Sequence, residues 1–165
     1  LVTGFVSAVP YIFGIVGLLI VPRSSDRLND RYGHLAVLYV IGALGLFLSA
    51  YLTVPVLQLA ALSMVAFSLF SCTAVFWTLP GRFFAGASAA AGIALINSVG
   101  NLGGYIGPFV IGWLKEITGN LATGLYFLSG VMICGLILTG VVYRVLERKH
   151  VLPESKFAAS ARSSR

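Results

Sequence analysis

Charge is what this sequence has least of. Asp, Glu, Lys and Arg make up 10% of its 165 residues, against about 25% in soluble domains. Apolar residues reach 58%. A chain this poor in charge cannot cover a globular surface with water-compatible groups, so a soluble protein is excluded and an integral membrane protein is implied. Within the apolar runs the scarcity becomes absence: no Asp, Glu, Lys, Arg or His stands in the middle of any of them. A charge at the bilayer centre costs roughly 2.5–3.5 kcal/mol on insertion scales, and where one occurs it marks an ion or proton route. Any coupling groups must therefore lie elsewhere. Cysteine is also scarce. Cys72 and Cys134 each fall inside an apolar run and read as small buried hydrophobes. With His34 and His150 in polar segments, they build no metal site. No Ser/His/Asp or Cys/His arrangement, HExxH or phosphate-cradling loop is present, so the chain offers no enzyme chemistry and implies no cofactor. A basic segment ahead of the first apolar run is missing too, which argues against a cleavable signal. The chain begins at Leu1 rather than Met, as a piece of something longer would.

What is present is length and apolar continuity. About 20 apolar residues cross the roughly 30 Å hydrocarbon core, and five runs qualify: residues 2–21, 35–51, 56–79, 85–113 and 121–142. The expected fold is all-α, a bundle of five transmembrane helices over residues 1–143, followed by a basic tail, 144–165, expected to be disordered. Pro10 sits mid-span in the first run, where it removes a backbone donor and favours a kink. Tyr11 follows it, as either an interfacial aromatic or a hydroxyl facing a pathway. The second run has almost no polar content and is expected to face lipid over much of its circumference; the fifth looks peripheral in the same way. Pro55 fits the first turn of the third helix, and the second half of that run carries Trp77 and Thr78 before Pro80-Gly81 breaks it.

The run AGASAAAGIALINSVGNLGGYIGPFVIGW, 85–113, is unlike the others. Asn97 and Asn101 are four apart and share a helix face, which Gly104 and Pro108 continue. Lipid offers an amide no partner, so this face must look at protein or water. Lining a substrate route is one reading. Close helix packing through Gly103 and Gly107, a small-xxx-small pair, is the other.

Charges fall between and after the runs, a topology pattern rather than a nucleic-acid groove, despite the net +6. Arg23, Arg27 and Arg31 occupy the first connection, Arg82 and Lys115 stand alone, and six basic residues lie from Arg144 onward. Alternation puts ten of the eleven on one side. The positive-inside rule makes that side cytoplasmic, with the N-terminus outside and the C-terminus inside. The segment PRSSDRLNDRYGH, 22–34, reads by composition as a solvated loop of mixed charge.

The run FWTLPGRFFAGASAAAGIALINSVGNLGGYIGPFVIGWLKEITGN, 76–120, resembles the eleventh-helix region of the anion:cation symporter family of the major facilitator superfamily. Its family signature is FWTLP, a small-residue run, AxxAGIALINSxGNLGGFxGPxxxGxLK and TG. PRSSDRLNDRYGH resembles the family's charged loop between helices eight and nine, with Pro22 and Asn29 standing where the family usually has glycine, and SAVPYIFGIVG is similar to its eighth helix. The resemblance covers nearly the whole chain before the tail. It implies that the five spans are helices eight to twelve of a twelve-helix transporter, most of its C-terminal six-helix half, with helices one to seven absent. It implies secondary transport of a small organic anion (a sugar acid, dicarboxylate or aromatic acid) coupled to protons by alternating access in a bacterial inner membrane. Carried over by residue, Asn97, Asn101, Tyr11, Trp77 and Thr78 would line the substrate pathway. Asp26, Arg27 and Arg31 would belong to a cytoplasmic conformational latch. Apart from the resemblance, the small-residue spacing makes Gly103, Gly104, Gly107 and Pro108 the expected helix-packing positions. The implied partners are the organic anion, the proton, the lipid bilayer and the missing N-terminal half; no nucleic acid is implied. A non-transporting membrane scaffold that associates through its glycine face and basic tail is the alternative.

Overall fold

Apolar runs this long satisfy their backbone only by coiling, and the computed structural model of the chain, which describes residues 2–80 and 87–148, is helical nearly throughout. Five helices follow in order: α1 (Val2–Leu28), α2 (Arg31–Tyr51), α3 (Pro55–Phe76), α4 (Ala87–Thr118) and α5 (Leu121–Arg148). All five are long and apolar enough to cross a membrane. The Arg82 boundary, the first two residues of the fourth apolar run and residues 149–165 of the basic tail lie outside the described residues.

The helices overrun the apolar runs because hydropathy marks only the part inside hydrocarbon. α1 does not stop at Val21. It continues through Pro22 and the charged residues to Leu28, so most of the segment read as a loop is helix. The connection to α2 is two residues long. Asn29 takes φ 50°, a left-handed conformation that asparagine tolerates better than most residues. Asp30 then caps α2 by accepting the Gly33 N–H at 2.8 Å. Asparagine thus holds the turn. Residues 144–148, read as tail, continue α5. α4 passes through Pro108 without breaking and ends at Gly119, whose φ of 67° suits the helix stop. Pro55 opens α3 as its missing N–H predicts. α3 ends at Phe76, and Trp77, Thr78 and Leu79 turn toward Pro80, which disfavours helix in the residue before it.

Spatial order differs from chain order. α3 packs between α1 and α2, α2 packs on both α3 and α5, and α4 packs on α5, giving α1–α3–α2–α5–α4. Close approach is made by glycine. A Cβ on Gly17 would run into the Ser71 hydroxyl and lie 2.9 Å from the Phe67 carbonyl; one on Gly45 would lie 2.8 Å from Val65 and 2.9 Å from the Ala61 carbonyl. Two serine hydroxyls join the helices. Ser68 of α3 donates to the Leu38 carbonyl of α2 at 2.6 Å, and Ser129 of α5 donates to the Ala43 carbonyl at 2.9 Å. α2 is therefore the centre of the packing, and the expectation of a mostly lipid-facing second span is corrected. Leu35, Leu38, Ala43, Leu46 and Ser49 are buried, and one stripe through Val37, Val40, Leu44, Phe47 and Tyr51 stays exposed. In a membrane an apolar side chain suits lipid and protein equally, so polarity cannot separate the two.

Candidate functional site

The half-buried residues of α4, among them Gly92, Ile96, Ile111 and Leu114, recur at helical spacing and mark the face that meets α5. Ile111 covers Gly124 there. Asn97, Asn101, Gly104 and Pro108 lie about a quarter-turn round the helix, at 100° per residue, and all four are exposed. None of Gly100, Gly103, Gly104, Gly107 and Gly112 has any group within 4 Å of where a Cβ would project. Contact with α5 therefore uses neither Gly103 nor Gly107 as a close-packing point. The face of α4 that carries Asn97, Asn101, Gly104 and Pro108 is open.

The other pathway candidates sit on α1 and at the end of α3. Tyr11 is 60% exposed on α1, its ring edge-on to Phe70 of α3 with centroids 6.2 Å apart. Trp77 is 43% exposed and stacks edge-on against Phe76. Thr78 is half-buried and spends its hydroxyl on the Val75 carbonyl at 2.7 Å. α4 makes no contact with α1 or α3 comparable to its contact with α5. The structure brings Tyr11 onto α3 but does not close the Asn97–Asn101 face and these aromatics around a common cavity.

The charged candidates are brought together more tightly. Asp26, near the end of α1, and Arg31, the first residue of α2, form an ion pair at 2.9 Å across the two-residue turn. It is lopsided: the Arg31 side chain is 14% exposed and Asp26 58%. Arg31 Nε and Nη1 are buried with no hydrogen-bond partner among the described residues. A guanidinium has five donors, and this carboxylate reaches one nitrogen only. Arg27 stays exposed and lines an open cavity of about 390 Å³ with Arg23, Ser24 and Leu28.

Sequence reasoning missed the polar pins beside this pair. Ser24 Oγ of α1 lies 3.2 Å from His34 Nε2 of α2, Ser25 donates to the Asp30 carbonyl at 3.3 Å, and His34 Nδ1 sits against the same carbonyl. The available signal was Asp30 three residues before Gly33, the spacing of a helix cap. Nothing comparable marked Ser24 or His34, since their pairing depends on how α1 meets α2.

No family profile and no solved structure matches the chain. Curated relatives do. A quinolone resistance transporter of Acinetobacter baumannii is 74% identical over 146 residues, covering 88% of this chain and 34% of the relative. A provisionally named tartrate transporter of Agrobacterium vitis is 41% identical over 141 residues, 86% of this chain and 31% of the relative. The inner membrane transport protein RhmT of Escherichia coli K12 is 31% identical over 133 residues, 81% and 31% respectively. The chain thus spans about a third of the length of the relatives it matches. They are named as transporters and not as enzymes, in line with a sequence that offers no catalytic group.

Proposed function

This chain belongs to the major facilitator superfamily of membrane transporters, and on that premise we propose that it forms helices eight to twelve of a secondary transporter for small organic anions. The observation that carries the proposal is the open face of α4. Asn97 and Asn101 are exposed on a helix whose main packing partner is α5, and no group lies within 4 Å of where a Cβ would project from the glycines beside them. Amides cannot be left in hydrocarbon unpaired, so a face built this way lines a polar route or meets further helices that do. Tyr11, Trp77 and Thr78 border that route from α1 and α3. Transport proceeds by alternating access with proton symport, the coupling groups lying outside these five spans, which carry no mid-span charge.

Asp26, Arg27 and Arg31 form the latch, with the Asp26–Arg31 pair tying the end of α1 to the start of α2. The two unpartnered nitrogens of Arg31 take an acceptor supplied in one conformational state only, which biases the equilibrium between states by charge. The basic residues set the orientation, N-terminus outside and C-terminus cytoplasmic, in a bacterial inner membrane. One relative is named for tartrate, a dicarboxylate, which supports an organic anion as the cargo; another is named for quinolone resistance. A scaffold role without transport gains no support from relatives that are named as transporters.

The test is uptake by the intact protein that carries these five helices. Asn97→Leu and Asn101→Leu abolish uptake of labelled tartrate or of a quinolone while leaving membrane insertion intact. Unchanged uptake in both variants would remove Asn97 and Asn101 from the pathway.

A further inference from the structure

Tyr105 stands about one turn beyond Asn101 on α4 and is 75% exposed; Phe109, a further turn on, is 66% exposed. Asn97, Asn101, Tyr105 and Phe109 follow one another at a spacing of four residues. Residues so spaced form a single ridge along a helix, and this one runs from two amides to two aromatic rings. We propose, on the reading of the Asn97–Asn101 face as a substrate route, that the ridge makes the cargo an aromatic carboxylate and that Tyr105 is the residue that selects its ring.

Neither ordinary role of a membrane tyrosine fits this position. Packing against α5 does not hold it. Ile96 and Leu114 face α5, and Tyr105 is nine residues from each, which at about 100° per residue is half a turn round the helix. Its ring stands on the side of α4 away from that neighbour. Anchoring at the membrane surface does not hold it either. Aromatic belts sit at headgroup level, where Trp113 closes the apolar run. Tyr105 comes eight residues before Trp113 and so lies about 12 Å deeper in the hydrocarbon core. A phenol hydroxyl at that depth needs a hydrogen-bond partner, as an amide does.

The order of groups on the ridge chooses among organic anions. Asn97 and Asn101 present amide N–H groups, which donate to a carboxylate. Tyr105 begins about 6 Å along the axis from Asn101 and presents a ring face and edge, which pair with an arene in stacked or edge-on geometry. A polyhydroxy acid lying along the ridge would set its hydroxyls against the two rings and leave some of them without partners. A cargo with a carboxylate at one end and an aromatic ring at the other satisfies both halves.

The experiment uses the intact transporter that carries these helices, purified in detergent, and measures binding of phenylacetate and of cyclohexylacetate by isothermal titration calorimetry. The two acids share the carboxylate and the ring size and differ in aromaticity. Phenylacetate binds about two- to tenfold more tightly, the scale of one aromatic pair. Tyr105→Leu and Tyr105→Met each bring the ratio near unity by weakening phenylacetate alone, with cyclohexylacetate bound as before. Tyr105→Phe, which keeps the ring, keeps the ratio. Absence of phenylacetate binding by the parent transporter would overturn the proposal, as would a parent ratio near unity. A ratio that survives Tyr105→Leu and Tyr105→Met would overturn it too, and is the result expected of a tyrosine that only packs on a further helix. Asn97→Leu and Asn101→Leu, read with the same two acids, separate this proposal from the pathway reading beneath it: they weaken both acids alike. Unchanged binding of both acids in these variants would remove the pathway reading and the proposal together. Weakening of both acids, with a ratio indifferent to Tyr105, would remove the proposal alone.

Discussion

Replacing Gly45 by alanine should separate α2 from α3, and the cost can be isolated by a matched substitution. A Cβ at Gly45 would lie 2.8 Å from Val65 Cγ2, 2.9 Å from the Ala61 carbonyl and 3.2 Å from the Val65 nitrogen. Carbon atoms rest at about 3.5–4.0 Å, so the helices must move apart by roughly 0.6 Å or more. Two of the three obstructing atoms are backbone, which cannot rotate away. Overpacking of this kind costs about 1–3 kcal/mol. Alanine also favours helix over glycine by about 1 kcal/mol, which would mask part of the loss. Gly100→Ala removes that ambiguity: it makes the same chemical change on α4, where nothing lies within 4 Å. The difference between the two variants reports packing alone. Unfolding of the chain in mixed micelles, followed by steric trapping or titration with a denaturing detergent, should place Gly45→Ala about 1–3 kcal/mol below Gly100→Ala. Equal stability of the two would refute the α2–α3 contact described above.

Other consequences follow from the same packing. Ser68→Ala removes the α3-to-α2 bond to the Leu38 carbonyl and should cost about 0.6 kcal/mol, and no more than about 1.7, in the same assay, the mean and the maximum for such bonds in membranes. Ser129→Ala, whose bond to Ala43 is longer at 2.9 Å, should cost less. Asn29→Gly should cost less than Asn29→Val, because φ is 50° there. Asn29→Val at the same position should cost about 1–2 kcal/mol, and equal effects of the two would contradict the left-handed turn.

The sequence made five membrane-spanning helices legible because continuous apolar runs have no other way to satisfy their backbone in lipid. Their ends were less legible. Arg23, Asp26 and Arg27 read as loop by composition, yet they continue α1, since hydropathy reports depth in the membrane and a helix has no need to stop at its edge. The central position of α2 was hidden for a different reason. Its Leu and Val side chains suit lipid and protein alike, and the close approach at Gly42 and Gly45 showed only in the structure. At the candidate site, Asn97 and Asn101 were visible as amides in an apolar run. The Asp26–Arg31 pair was visible only as a charge cluster until the turn at Asn29 fixed which charges could meet. Ser24 with His34 lay beyond sequence reasoning, because residues ten apart on two helices are joined by the angle between those helices.

The claim at the centre of this account is that the Asn97–Asn101 face of α4 is wetted by a substrate route, and thiol accessibility tests it most directly. In the intact transporter, with Cys72 and Cys134 replaced by serine, single cysteines are placed by Asn97→Cys, Asn101→Cys and Leu44→Cys, the last on the exposed stripe of α2. A water-soluble methanethiosulfonate reagent needs an ionised thiol, which lipid does not support. The account predicts rapid labelling of the two α4 positions, slowed by the transported anion, and no labelling at Leu44→Cys. Labelling at Asn97→Cys and Asn101→Cys as slow as at Leu44→Cys would contradict it.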